Sequence, residues 1–261
     1  MTSLVRAAWS AFRVSVRLRV ISPWAYLNWL VFPLIFAAVG LYVLSRPGAP
    51  SSHLVYGVLG GGLIGFWSVA YLDGGNGIQD ERWNGTLEQI FGVPTPLWAI
   101  VLGKIMGSLL FGLLAFVPTA GFAYFGFHAL LPHVDVWRFT ISLAVLTFSF
   151  MSIAITLTPL FALWRWAFSM LNGFELGVYV LCGFMFPVAI LAAPLQGVAG
   201  LLSPTWATRA LYASTIAEGP HDFTLWWLVA IGLSAAYLVG AYFLYSLVER
   251  EARVSGELAL A

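Results

Sequence analysis

Six apolar runs constrain this chain more than any other feature: 24–44, 54–72, 97–127, 139–164, 166–190 and 223–248. About 20 apolar residues are needed for a helix to cross a hydrocarbon core about 30 Å thick. Each run meets that length or comes close, and almost no charge interrupts any of them. Charged residues are 9% of the chain, where a soluble domain carries roughly a quarter. The expectation is an all-α integral membrane fold, a single domain over 1–261 with six transmembrane helices.

An even number of spans puts both termini on one side, and the basic residues choose the side. With the termini inside, the inner segments hold Arg6, Arg13, Arg17, Arg19, Arg82, Arg165, Arg250 and Arg253, with Lys104 near the inner end of the third span. Arg46, Arg138 and Arg209 remain outside. Nine basic residues against three satisfy the positive-inside rule. The net charge of +1 hides this asymmetry and carries no nucleic-acid signal. The first apolar run is too long for the core of a cleavable leader, and no small-residue cleavage site follows it. The single cysteine, Cys182, excludes an internal disulfide and Cys-based metal sites.

Residues 1–22 are not a span. Val5, Trp9, Phe12 and Val16 recur at helical spacing, with Arg6, Arg13 and Arg17 along the edge of the stripe. That pattern predicts an amphipathic helix lying in the inner interface with its arginines among lipid headgroups. A basic flank that only sets topology is the plainer alternative.

Between the second and third runs lies a polar island, Asp80-Glu81-Arg82-Trp83-Asn84-Gly85-Thr86-Leu87-Glu88-Gln89-Ile90-Phe91-Gly92-Val93-Pro94. Thr86 followed three residues later by Gln89 fits a capping box. Leu87, Ile90 and Phe91 then share one apolar face, and Gly92, Pro94 and Pro96 end the helix. A helix this short is marginal alone. Its apolar face must pack, either on the rest of this chain or on a partner.

Within the spans, Gly57, Gly61 and Gly65 repeat every fourth residue, and Gly103, Gly107, Ser108 and Gly112 line the third run. Small residues so spaced let helices approach closely, inside one subunit or between two. Pro33, Pro118 and Pro187 mark kinks or ends. Glu175 is the one acid well inside a span, a position where an unpaired charge costs a few kcal/mol. It is either a functional carboxyl or a structural one, bonded to Asn172 or to a neighbouring helix. Asn28 either faces a cavity or bonds between helices. Pro194 and Pro204 divide 193–218 into apolar pieces too short to cross, which predicts two helices dipping back into the outer leaflet; a surface loop is the alternative.

Enzyme signatures are missing. There is no G-x-S-x-G and no G-x-x-x-x-G-K-[ST]. Asp73-Gly74 lacks the further aspartates of a phospholipid-synthase site. His128, His133 and Asp135 make a weak metal pattern, and His53 and His221 lie apart from it.

Taken in order, these stretches resemble the type-2 ABC transporter permeases, the six-span subunits of ABC exporters. The resemblance rests on Glu81-Arg82-x-x-Gly85-Thr86-Leu87-Glu88-Gln89, then Pro94-Thr95-Pro96 and Leu102-Gly103-Lys104. Cys182-Gly183-Phe184-Met185-Phe186-Pro187 and Leu202-Ser203-Pro204-Thr205-Trp206 support it. It covers essentially the whole chain. Trp206 departs from the leucine commonest at that position, and the outer loops are short, which leaves the branch of the family open.

The resemblance implies that 80–93 is a cytoplasmic coupling helix. Glu81, Arg82, Gly85, Thr86, Leu87, Glu88, Ile90 and Phe91 would then dock a separate ATP-binding subunit present in two copies. ATP and magnesium would sit on that subunit; this chain would bind no cofactor and no metal and would hold no catalytic residue. A second permease, identical or paralogous, would complete the path, in the cytoplasmic membrane of a bacterium. Asn28, Phe32, Trp67, Asn172 and Glu175 are the substrate-path expectations, and Pro187 and Pro204 the gate or re-entrant ones. Spans rich in Trp, Phe and Leu suit a hydrophobic or amphipathic small molecule such as a drug, antibiotic or lipid-like product. A lipid-linked glycan or polysaccharide is the alternative cargo within the family. A secondary transporter using Glu175 is the alternative of another class.

Overall fold

The computed structural model describes residues 2–44, 51–76, 85, 95–128, 134–163, 171–215 and 222–255. Among these every regular element is helical. Helix α1 (Thr2–Ile21) precedes α2 (Pro23–Tyr26), which runs through a π-helical turn (Leu27–Val31) into α3 (Phe32–Leu44). Then come α4 (Ser51–Asn76), α5 (Leu97–Leu114), α6 (Phe116–Phe127), α7 (Val136–Leu163) and α8 (Leu171–Leu181). A 3₁₀ turn (Val188–Ile190), α9 (Ala193–Gly200), α10 (Ser203–Ala213) and α11 (Phe223–Ser255) complete the chain. Among the described residues, five stretches are long and apolar enough to cross a membrane: Leu27–Leu44, Leu54–Leu72, Leu97–Phe127, Val136–Phe161 and Phe223–Val248.

The stretch expected as a span over 166–190 differs. Its described helix, α8, stops at Leu181. Gly183 adopts the left-handed conformation, φ 69°. The Phe184 N–H bonds the Tyr179 carbonyl and the Gly183 N–H bonds the Val180 carbonyl, the paired bonds of a Schellman stop. The chain leaves the helix there although the residues beyond it are still apolar. Pro187 then opens the 3₁₀ turn.

Helix α4 is the hub. It packs against α3, α5, α6 and α7, and its residues are buried almost without interruption from Val55 to Tyr71. A helix apolar on every side belongs in such a position. Its glycines make the crowding feasible. A Cβ on Gly57 would meet the Leu41 side chain at 2.9 Å, one on Gly61 the Ala37 Cβ at 2.6 Å, and one on Gly60 the Phe184 carbonyl oxygen at 2.5 Å. Gly65 faces Pro33 and Ala115 in the same way. The glycine spacing therefore serves packing within this chain. Phe66, Trp67 and Phe150 interlock in edge-on pairs across the α4–α7 seam, with centroids 4.9 and 5.2 Å apart.

Helix α1 lies along α5. Its contact face is a row of small residues: Ala8 and Ala11 sit on Gly103, and Ser15 on Gly107. The Ser15 hydroxyl donates to the Lys104 carbonyl at 3.2 Å and Arg19 donates to Ser108 Oγ at 3.2 Å. Val5, Trp9, Val14 and Leu18 stay exposed. Of the expected apolar stripe, Phe12 and Val16 are half-buried while Val5 and Trp9 face outward. The small side meets protein because only alanine and serine let the two backbones close in. The larger apolar side chains, with the Arg13 guanidinium 5.2 Å over the Trp9 ring, are left on the outer face.

Prolines set the breaks. Pro33 cannot donate to the Trp29 carbonyl, and the wider π-helical turn before it ends with the Phe32 N–H on the Leu27 carbonyl. Pro118 likewise cannot serve the Leu114 carbonyl, and the run 97–127 divides at Ala115 into α5 and α6. The Thr119 hydroxyl returns to the Ala115 and Phe116 carbonyls at 3.1 and 3.0 Å. Helix α7 tolerates Pro159 in its last turns.

Residues 193–213 form the expected pair of short helices, α9 and α10, each with a proline in its first turn. They differ in burial. Helix α10 packs between α7 and α11 with Pro204, Ala207, Thr208 and Leu211 inside, whereas α9 buries only Ala199. Gln196 folds back from α9 to the Leu191 carbonyl at 2.7 Å and the Ala189 carbonyl at 3.2 Å. That satisfies the carbonyls of the connecting turn without help from another helix.

Candidate functional site

The site residues expected from sequence fall into three places. The docking set lies outside the described residues except Gly85, so Glu81, Arg82, Thr86, Leu87, Glu88, Ile90 and Phe91 have no structural account. Gly85 is exposed with φ 66°, a left-handed conformation that glycine adopts without a Cβ penalty.

The second place is the carboxyl of Glu175 on α8. Two hydroxyls converge on its Oε1. Ser68 of α4 donates at 2.6 Å, and Tyr179, one turn along α8, donates at 2.5 Å. The two hydroxyl oxygens are themselves 2.5 Å apart. Each pair of this triangle is within hydrogen-bond distance, so any one member can leave and the other two remain bonded. Aromatic rings flank its members. Phe174 stacks on Tyr71 at 5.7 Å and reaches Trp67 at 6.4 Å, and Phe36 meets Tyr179 edge-on at 6.1 Å.

Of the substrate-path expectations, the fold brings Trp67 and Glu175 into this one neighbourhood. Trp67 is wholly buried and its indole N–H has no hydrogen-bond partner among the described residues. Trp67 is therefore part of this chain's own core rather than an exposed lining. Asn28 is buried in the π-helical turn, which packs on α4 and α5. Phe32 is exposed on α3, and Phe36, one turn further, is the α3 residue that touches the cluster. The side chain of Asn172 lies outside the described residues. Ser68, Tyr179 and Phe36 were missed. Tyr179 had a signal, its i+4 spacing from Glu175 on a helix. Ser68 had a weaker one, as an isolated hydroxyl in an otherwise apolar stretch of the second run.

The third place is the gate pair. Pro204 is buried in the first turn of α10, and Pro187 is exposed at the start of the 3₁₀ turn. They belong to one assembly through Tyr212 of α10, whose hydroxyl donates to the Phe184 carbonyl in the turn that ends α8.

Chemically, the Glu175 triangle can hold a carboxyl among aromatic rings with two hydroxyl partners. Among the described residues no three His, Cys, Asp or Glu side chains gather as metal ligands would. No family model and no curated protein matches the chain.

Proposed function

We propose that this chain is the membrane-spanning subunit of an ATP-driven exporter of the type-2 ABC class. In this reading the helices form a six-span permease with both termini in the bacterial cytoplasm, and a second permease pairs with it. Two copies of a soluble ATP-binding subunit dock at 80–93, and ATP and magnesium belong to them. Closure of those subunits would drive the paired permeases between inward- and outward-facing states as rigid bodies. The cargo class is a hydrophobic or amphipathic small molecule moved out of the cytoplasm.

The observation that carries this reading is the order of the elements. An amphipathic helix rests on α5, two long apolar helices follow, and then comes a polar island with a capping box and an apolar triad. Further apolar helices come next, with the short pair α9–α10 directly before the last. The apolar face that the sequence gives Leu87, Ile90 and Phe91 must pack on something, and in this reading the groove of a soluble ATPase receives it. The test is purification of the full chain from its own host at native expression, followed by an assay of the complex for ATP hydrolysis and its stimulation by apolar amphiphiles. An associated ATP-binding subunit with stimulated turnover is expected. A chain that purifies without any ATPase at full occupancy of the membrane overturns the reading.

The Glu175 triangle favours one second reading, a secondary transporter coupled to protons at that carboxyl. Glu175→Gln keeps the shape and an acceptor for both hydroxyls. Transport that survives the substitution rejects proton coupling there, and transport that is lost with a changed pH profile supports it.

A further inference from the structure

At the end of the bundle where α4, α7 and α11 begin, a cleft of about 460 Å³ opens between Tyr56, Pro187, Thr208, Arg209, Tyr212 and Trp226. The Asp135 N–H bonded to the Ser214 carbonyl at 3.0 Å ties the start of α7 to the same end.

Two polar groups on the α10 wall are unmatched. Thr208 is 1% exposed, and its hydroxyl has no hydrogen-bond partner among the described residues. A buried donor left unbonded keeps its full desolvation cost, so such a group favours a bound partner. Its neighbour Arg209 is half-buried, and burial lowers its pKa from the usual value. The guanidinium lies 5.0 Å over the Trp206 ring. No carboxylate pairs with it among the described residues, whereas Arg138 at the same end has Asp135 at 3.3 Å. The other walls are apolar or aromatic. Tyr56 and Tyr212 stack at 4.2 Å, and the Tyr212 hydroxyl is already engaged with the Phe184 carbonyl.

We propose that this cleft binds the phosphate headgroup of an anionic lipid, with Arg209 supplying the counter-charge and Thr208 a hydroxyl donor. The planar guanidinium matches the geometry of phosphate oxygens. A cleft of about 460 Å³ has room for more than a bare ion. Rings and aliphatic surface beside one cation suit an amphiphile whose charged head meets Arg209 and whose glycerol and first methylenes lie against Tyr56, Tyr212 and Trp226. This site shares no residue with the polar island and does not rest on the exporter reading.

The test uses the full chain purified in detergent, offered phosphatidylglycerol, phosphatidylcholine or inorganic phosphate alone, with bound lipid counted by native mass spectrometry. The wild type is expected to retain phosphatidylglycerol about fivefold over phosphatidylcholine, because the head's net charge is what Arg209 meets. Arg209→Gln should reduce retention about tenfold, and the nearly isosteric Thr208→Val about threefold. Arg138→Gln, which alters an arginine with its own carboxylate partner, should leave retention unchanged. Thr208→Val keeps the proposal open to refutation if Arg209→Gln does not fold. Equal retention by wild type and both cleft variants overturns the site. Equal retention of the two lipids overturns the anionic headgroup. Arg209-dependent binding of inorganic phosphate with no lipid retained overturns the lipid as its source.

Discussion

Removing both hydroxyls that bond Glu175 should destabilise the protein by more than the sum of removing each. Ser68 Oγ and the Tyr179 hydroxyl lie 2.6 and 2.5 Å from the same carboxyl oxygen and 2.5 Å from each other. In Ser68→Ala the carboxyl keeps Tyr179, and in Tyr179→Phe it keeps Ser68. Each single change therefore removes one hydrogen bond and orphans nothing, at a cost of about 1 kcal/mol. The double variant strips the carboxyl of both hydroxyls and adds the cost of an unsatisfied polar group, about 1–3 kcal/mol. Coupling energies measured between membrane helices reach only about 1.7 kcal/mol, so the excess over additivity should fall between about 1 and 1.7 kcal/mol. The assay is equilibrium unfolding of the four proteins in mixed micelles titrated with a denaturing detergent. Losses that add to within about 0.3–0.5 kcal/mol, as they do for independent sites, would refute the claim that the three groups form one network.

Gly103→Leu should push α1 off α5, because even a Cβ there collides with the Ala8 carbonyl oxygen and comes within 2.9 Å of the Ala11 Cβ. The cost is about 1–3 kcal/mol for overpacking, read as a lower thermal midpoint; an unchanged midpoint contradicts the contact. Phe91→Asp should leave the protein inserted but abolish ATPase association, because it puts a charge on the apolar docking face; normal association at normal expression sinks the docking assignment. In a Cys182→Ala background, an impermeant thiol reagent outside intact cells should miss Asn84→Cys and label Gln196→Cys. Labelling at Gln196→Cys should be slower than at a fully exposed site, because position 196 is half-buried on α9. Outside labelling at position 84 would invert the topology and end the exporter reading.

The Glu175 cluster shows how far residue patterns reach. An acid alone among apolar residues is visible at once, and so is Tyr179, because i and i+4 share a helix face wherever the helix goes. Ser68 is 107 positions away along the chain, and no local pattern links it to Glu175. The pairing exists because α4 is rich enough in glycine to sit at the centre of the bundle, within reach of α8. The same logic governs Gly103 and Gly107. Their spacing announces a close helix contact, but that the contact is with α1, through Ala8, Ala11 and Ser15, is a property of the folded chain.

The sequence by itself determined the helical, apolar character of the protein and the positions of most helices. Hydropathy summed over about 20 residues is insensitive to what any helix packs against, so runs such as 54–72 and 223–248 reappear as helices. It also carried the short helix pair, whose proline signals are local. Tertiary structure decided which helix is central, which face of α1 meets protein, and which side chains complete the Glu175 site, because these depend on contacts between residues far apart in the chain. The end of α8 at Leu181 lies between the two. Gly183 and Pro187 were in plain view, but a hydropathy sum counts Cys182-Gly183-Phe184-Met185-Phe186 as more span. Only the left-handed turn at Gly183, with its N–H on the Val180 carbonyl and the following strip of chain packed on α4 and α10, makes it a stop.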